Sequence, residues 1–274
     1  MYRMFGGTEP ESSSKGYLQE PLSLREEFRS RRFGLGHSNP SDFLRSQWQS
    51  KPKSSIFLAY RWLLGGFFNV GLVNYVIQYY RNGTVFIYLT NWAFIMCGIT
   101  SITGAVLVTI YHCKPETWVP PRCVIKTYWA FYWTTIIMEC LIAITYWAAI
   151  YPDDRVLTNP TRVSDFYNIF IHLLPPIFFT IDHIIVAQPA RLLHFVYPMV
   201  FGYSYGLFAL IYYELGGLNY NGNSFIYTFL DFENPKKVLV TVSMITLATV
   251  FLSVLQYGVY RLRTFIARKM GKLL

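Results

Sequence analysis

Residues 85–111, VFIYLTNWAFIMCGITSITGAVLVTIY, contain no Lys, Arg, Asp, Glu or His. A bilayer core is about 30 Å thick and takes roughly 20 mostly apolar helical residues to cross. This stretch therefore reads as a transmembrane helix. Thr90 and Asn91 interrupt it about one and a half helical turns from its start. A hydroxyl and an amide at that depth are withdrawn from water, where a polar side chain needs a partner or a task.

Five further apolar runs lie near 56–78, 124–150, 167–187, 197–215 and 238–260. The fold class that follows is all-α: a polytopic membrane protein with six transmembrane helices. Composition agrees, since 14% of residues are charged against about 25% in soluble domains. Pro175 and Pro176 are expected to kink the fourth span. No internal repeat is visible, which argues against a transporter built from inverted halves.

Residues 1–55 carry nine Lys/Arg among Gly, Ser and Pro and have the composition of a largely disordered basic tail. Within them Ser23 is placed to cap a short helix over SLREEF, with Glu26 three residues on. The transmembrane domain is expected over 56–260 and a second basic tail over 261–274. That tail, RLRTFIARKMGKLL, is amphipathic and suits an anionic leaflet. No apolar stretch with a cleavage site opens the chain, so a cleaved signal peptide is not expected.

An even number of spans puts both termini on one side. That side then holds eighteen Lys/Arg against five on the other, so the positive-inside rule makes both termini cytosolic. The net charge of +9 resides in tails and loops and not in a stripe on one face, so nucleic acid is not an expected partner. The expected partner is the lipid bilayer, with membrane or cytosolic proteins reached through the tails. Cys97, Cys113, Cys123 and Cys140 show no disulfide or metal spacing, and no cofactor or metal is expected. Asn82-Gly83-Thr84 is a glycosylation sequon, but it lies too near the membrane to expect modification.

The chemistry rests on polar residues inside the spans. Thr90 and His172 each sit about five residues inside the outer end of a span, and those two spans run in the same direction. A threonine hydroxyl is a weak nucleophile that an adjacent base activates, and neutral imidazole is the usual base near pH 7. The pair is therefore a candidate for acyl transfer. The bland alternative is a threonine that bonds its own helix or a neighbour. Asp182 lies ten residues below His172 on roughly the same helix face and is expected to serve a structural role, with Arg61 or buried water as its partner. Glu139 reads similarly.

YLTNW at 88–92, NIFIH at 168–172 with Asp182 ten residues on, QPARLLHFVYP at 188–198, and Gly216-Gly217 before an aromatic loop form an ordered set. They resemble the rolling stone family of insect membrane proteins. More distantly they look like the androgen-induced and androgen-dependent membrane hydrolases. The resemblance covers about residues 56–260. It implies two things. The hydrolases are multi-pass enzymes that cleave fatty-acid esters of hydroxy fatty acids with a Thr nucleophile and a His. Residue by residue these fall on Thr90 and His172, with Asn168 four residues before the His. Asn91 or Asn168 would then help to hold the oxyanion. The rolling stone family implies a role in myoblast fusion during muscle development, and hence the plasma membrane in preference to an internal one. The sequence departs from the hydrolases after His172, where Leu173, Leu174 and two prolines follow, and at Ile169, where they commonly carry a second His. The rival to an esterase is a non-enzymatic fusion or adhesion component.

Overall fold

The computed structural model describes residues 23–152 and 163–272. Six helical segments are long and apolar enough to cross a membrane. After the short α1 (Leu24–Glu27) they are α2 (Ser55–Tyr79), α3 (Leu89–Cys113), α4 (Arg122–Thr145), the pair α5 (Asp165–His172) and α6 (Leu174–Ile185), α7 (Val196–Glu214) and α8 (Pro235–Lys269). A π-helical turn, Tyr146–Ile150, prolongs α4. The all-α membrane class and its six spans are thus present.

Local chemistry sets the helix ends. Ser23, Ser54, Ser164 and Asn234 accept hydrogen bonds from the amides of Glu26, Phe57, Tyr167 and Lys237, the N-cap role that suits these short polar residues. Between α2 and α3, Asn82 and Gly83 take φ of 55° and 83°, left-handed values that Asn and Gly accommodate best. The chain turns there, so α3 begins at Leu89, four residues later than the apolar run. Pro175 and Pro176 cannot donate to the carbonyls of Ile171 and His172, and the fourth span is interrupted at Leu173, between α5 and α6, where the prolines are expected to kink it.

Helix α4 lies at the centre and touches α3, α6, α7 and α8. Its Trp129, Tyr132, Trp133, Ile136 and Ile137 are wholly buried. Phe68, Phe94, Phe170 and Phe179 pack around them, mostly edge to face or tilted. Helices α7 and α8 are peripheral and expose Leu207, Ile211, Leu247 and Phe251, which suits contact with lipid. Small residues let the chains approach, as expected between membrane helices. A Cβ on Gly71 would lie 2.1 Å from the Phe170 ring, and one on Gly104 would lie 1.7 Å from Arg61 Nη2.

Two expectations change at the end of the bundle where both termini gather, here called the tail end. The disorder expected over 1–55 does not extend to the described part of that segment. Residues 23–54 form a strap that packs on the bundle and buries Phe43 and Leu44. The strap pairs by its backbone, with Gln47 N–H donating to the Ile185 carbonyl at 2.8 Å and Ala187 N–H to the Arg45 carbonyl at 2.9 Å. Its few apolar residues, concentrated at Phe43 and Leu44, were outweighed in the average composition by its charges. Residues 1–22 lie outside the described residues. At the other terminus α8 continues to Lys269, so most of the expected C-terminal tail is helix. Arg263 is buried there and donates to the carbonyls of His183 and Gln188 at 2.5 and 2.8 Å.

Candidate functional site

Arg61 and Asp182 meet inside the tail half. Arg61 Nη1 donates to both carboxylate oxygens at 2.8 and 2.9 Å, and the two side chains are almost wholly buried. Tyr60 donates to the same carboxylate at 2.9 Å, and Arg61 Nη2 donates to the Tyr128 hydroxyl at 2.7 Å. Every strong group in this cluster has a partner. The arrangement joins α2, α4 and α6, and Tyr128 also lines a separate hollow of about 340 Å³ with Thr100, Thr103 and Thr127.

Thr90 is in a different setting. Because α3 starts at Leu89, Thr90 is the second residue of the helix and lies in its first turn. His172 is the last residue of α5, seven positions from that helix's start. Counted from their own helix starts the two residues are therefore not level, because Asn82 and Gly83 turn the chain before Leu89.

Thr90 lines a partly open cavity of about 280 Å³ bounded by α3, α4, α7, α8 and the loop before α8. Most of its wall is apolar: Met138, Leu141, Ile142, Leu210, Phe229 and Ile245 are typical. Tyr146 also lines it, at the π-helical turn, and single π-turns recur at functional sites. Behind Tyr146 stands His172. The two rings are stacked face to face, centroids 3.4 Å apart and planes within 5°. His172 Nδ1 faces the Asn168 carbonyl at 3.1 Å. A carbonyl only accepts, so in the neutral ring Nδ1 carries the proton and Nε2 the lone pair.

The two expected oxyanion donors each spend one of their two N–H groups on a backbone carbonyl. The amide of Asn91 donates to the Val85 carbonyl, and that of Asn168 to the Val163 carbonyl at 3.2 Å. Both tie down the chain just before their helices, and neither lines the cavity. Instead, the residue that engages Thr90 comes from the loop before α8. The Tyr227 phenol oxygen accepts the Leu89 N–H at 3.0 Å, and the Thr90 hydroxyl and amide and the Tyr205 hydroxyl are also its hydrogen-bond partners. Burial raises the Tyr227 pKa above that of an ordinary phenol, with the bonds from Thr90 and Leu89 pulling it back. The ring is fixed by Tyr88 at 5.8 Å and Phe229 at 5.1 Å.

A family model described as Protein rolling stone matches residues 19–273. The chain belongs to the rolling stone family. Protein rolling stone of Drosophila melanogaster is 32% identical over 260 residues, which is 90% of this chain and 92% of that one. No solved structure matches. The multi-pass helical architecture is therefore that of a rolling stone family member, and the polar residues above stand within the matched region. Sequence reasoning missed Tyr146 and Tyr227. Tyr146 is one aromatic among many. Tyr227 lies 137 positions from Thr90 and was signalled only by the aromatic loop after Gly216-Gly217.

Proposed function

We propose that this protein is an intramembrane lipid-ester hydrolase that acts in the plasma membrane, both termini cytosolic, and serves myoblast fusion during muscle development. The observation that carries the reading is Thr90 on the wall of a mostly apolar, partly open cavity, with Tyr146 of the same wall stacked on His172. An apolar cavity with few polar groups suits an acyl chain, and the polar groups fix the orientation of the ester.

In the proposed reaction Thr90 Oγ attacks the acyl carbonyl carbon and its proton passes to His172 Nε2. The carbonyl π pair moves onto oxygen. Collapse of that intermediate breaks the ester C–O bond, and the alcohol leaves with the proton from His172. Water then repeats the sequence on the acyl-threonine and releases a fatty acid. For the proton to reach Nε2, whose lone pair lies in the ring plane, the Tyr146 ring must move from between the cavity and His172 or pass the proton through its own hydroxyl. A bound ester that displaces the Tyr146 ring would couple binding to activation of the base.

The test uses purified full-length protein in lipid nanodiscs, a long-chain fatty-acid ester and a fluorophosphonate probe. The wild type should hydrolyse the ester and label covalently. Thr90→Ala should abolish both, Thr90→Ser should keep part of each, and His172→Ala should lower the rate by about 10²–10⁴-fold, the usual contribution of general base catalysis. Variants that reach the membrane, lack hydrolysis and still restore fusion in cells lacking the protein would favour a non-enzymatic fusion component.

A further inference from the structure

Ester hydrolysis through an anionic intermediate needs hydrogen-bond donors aimed at the developing oxygen. The amides of Asn91 and Asn168 each spend one N–H on a backbone carbonyl, and neither lines the cavity. Within the first turn of α3, the Asn91 and Trp92 N–H groups already donate to the Tyr88 carbonyl at 3.0 and 3.3 Å. The Leu89 N–H points at Tyr227 Oη at 3.0 Å, and the Thr90 N–H supports the same oxygen. The polarity of this helix N-terminus is therefore not presented to the cavity directly. It is gathered on one phenol oxygen that lies beside the Thr90 hydroxyl.

Several other hydroxyls around the cavity are committed elsewhere. Tyr205 donates to the Ile87 carbonyl at 2.9 Å and is also a hydrogen-bond partner of Tyr227. Tyr203 and Thr246 pair with each other at 2.9 Å. Thr249 bonds the Ile245 carbonyl at 2.8 Å. Tyr227 differs from these, because its oxygen accepts from the first turn of α3 and its O–H, whose other neighbour is the Tyr205 hydroxyl, can turn toward the cavity. A hydroxyl that accepts from a neighbouring donor becomes a stronger donor itself.

From this geometry we infer that Tyr227 is a catalytic residue of the site: its O–H, polarised by the first-turn amides of α3, donates to the acyl oxygen of a fatty-acid ester attacked by Thr90. The inference rests on the hydrolase reading above. In the absence of ester the Thr90 hydroxyl donates to Tyr227 Oη, which holds the nucleophile at the cavity wall. On entry of the ester the Tyr227 O–H turns to the carbonyl oxygen, and the Thr90 hydroxyl leaves Tyr227 to give its own proton to the base. No bond to Tyr227 forms or breaks. Its hydrogen bond shortens as charge grows on the acyl oxygen and relaxes when the intermediate collapses. The position also explains why the loop before α8 is folded inward, with Tyr220 stacked on Tyr88 at 5.5 Å and Tyr227 wedged between Tyr88 and Phe229: it delivers one hydroxyl to one helix turn.

The test is Tyr227→Phe, which keeps the packed ring and deletes the hydroxyl. In the full-length protein, hydrolysis of a long-chain fatty-acid ester should fall about 10²–10³-fold in kcat, the usual loss for one oxyanion donor, with KM within about twofold. Affinity for a long-chain trifluoromethyl ketone, whose Thr90 adduct bears the same oxyanion, should fall by a similar factor. A simple structural role predicts the reverse: a lowered melting temperature with kcat and ketone affinity changing together with the folded fraction. If the wild type turns over and Thr90→Ala is dead, but Tyr227→Phe keeps wild-type kcat and ketone affinity, the inference falls and the hydrolase reading stands. If the wild type shows neither turnover nor ketone binding, the hydrolase reading falls and takes this inference with it.

Discussion

In the tail half of the bundle, Arg61, Asp182, Tyr60 and Tyr128 satisfy one another. In the other half, Thr90, Tyr227 and Tyr146 stand around a mostly apolar cavity of about 280 Å³. Both regions put polar side chains where water is scarce. The first uses them against each other, with a glycine at 104 whose missing Cβ makes room for the guanidinium. The second leaves an apolar hollow next to a hydroxyl. Burial of polar groups is thus no guide to chemistry by itself. A complete set of partners marks a joint between helices, and open volume beside a partnered hydroxyl marks a place for a ligand.

The largest way to break this contrast is Asp182→Ala. It leaves the Arg61 guanidinium buried with its counter-charge gone, a loss of about 3–5 kcal/mol for buried pairs. Thermal unfolding in detergent should show it as a large drop in melting temperature and in yield. Replacing both partners, Arg61→Met with Asp182→Leu, should recover most of that loss, because the desolvation of the two charges is removed with them. By contrast Thr90→Ala should leave stability within about 1 kcal/mol, as a half-buried hydroxyl contributes little. A Thr90→Ala variant as unstable as Asp182→Ala would make the two regions the same kind of structure.

This contrast also says what was legible in the sequence. Six spans could be read because a run such as 85–111 has no charge to place in lipid. Arg61 and Asp182 could be nominated because a bare charge in a span demands a partner. Thr90 and His172 could be named, but their relation could not. It depends on where α3 starts, which Asn82 and Gly83 decide through backbone conformation, and on a ring stacked between cavity and imidazole, which no spacing encodes. The strap was misjudged because a few apolar side chains at 43 and 44 order a segment whose average composition is polar.

The strap gives a smaller effect. Arg191 donates to the carbonyls of Gly34 and Gly36, and its guanidinium lies 4.8 Å from the Trp129 ring centre. Arg191→Leu should remove both bonds and expose residues 23–54 to added protease, while the spans remain protected. Two hydrogen bonds from a charged donor amount to about 3–6 kcal/mol of local docking free energy before relaxation, none of it shared with the Arg61 cluster. Equal loss of protection in the spans and the strap would show that the strap is part of the bundle's fold and not an attachment to it.

The smallest effect is a pH dependence of the same strap. Glu27 is only 2% exposed. Burial is the largest influence on its carboxyl and raises its pKa above the ordinary value; the Leu192 amide and the charges of Arg32, Arg191 and Arg261 pull it back. A carboxyl whose pKa is higher in the docked state holds its proton there over a pH range where the released strap has lost it. The docked state then binds more protons, so docking weakens as pH rises through that range and strengthens as pH falls. The range begins near the ordinary glutamate value and extends upward from it. Protease release of residues 23–54 should accordingly slow as pH is lowered toward 5, at a rate corrected for the protease's own pH profile. Glu27→Gln carries no titratable proton at this position and should flatten that slope while leaving the spans untouched. A slope that survives in Glu27→Gln would move the pH dependence to another buried acid of the strap, of which Asp42, also raised by burial, is the nearest in kind.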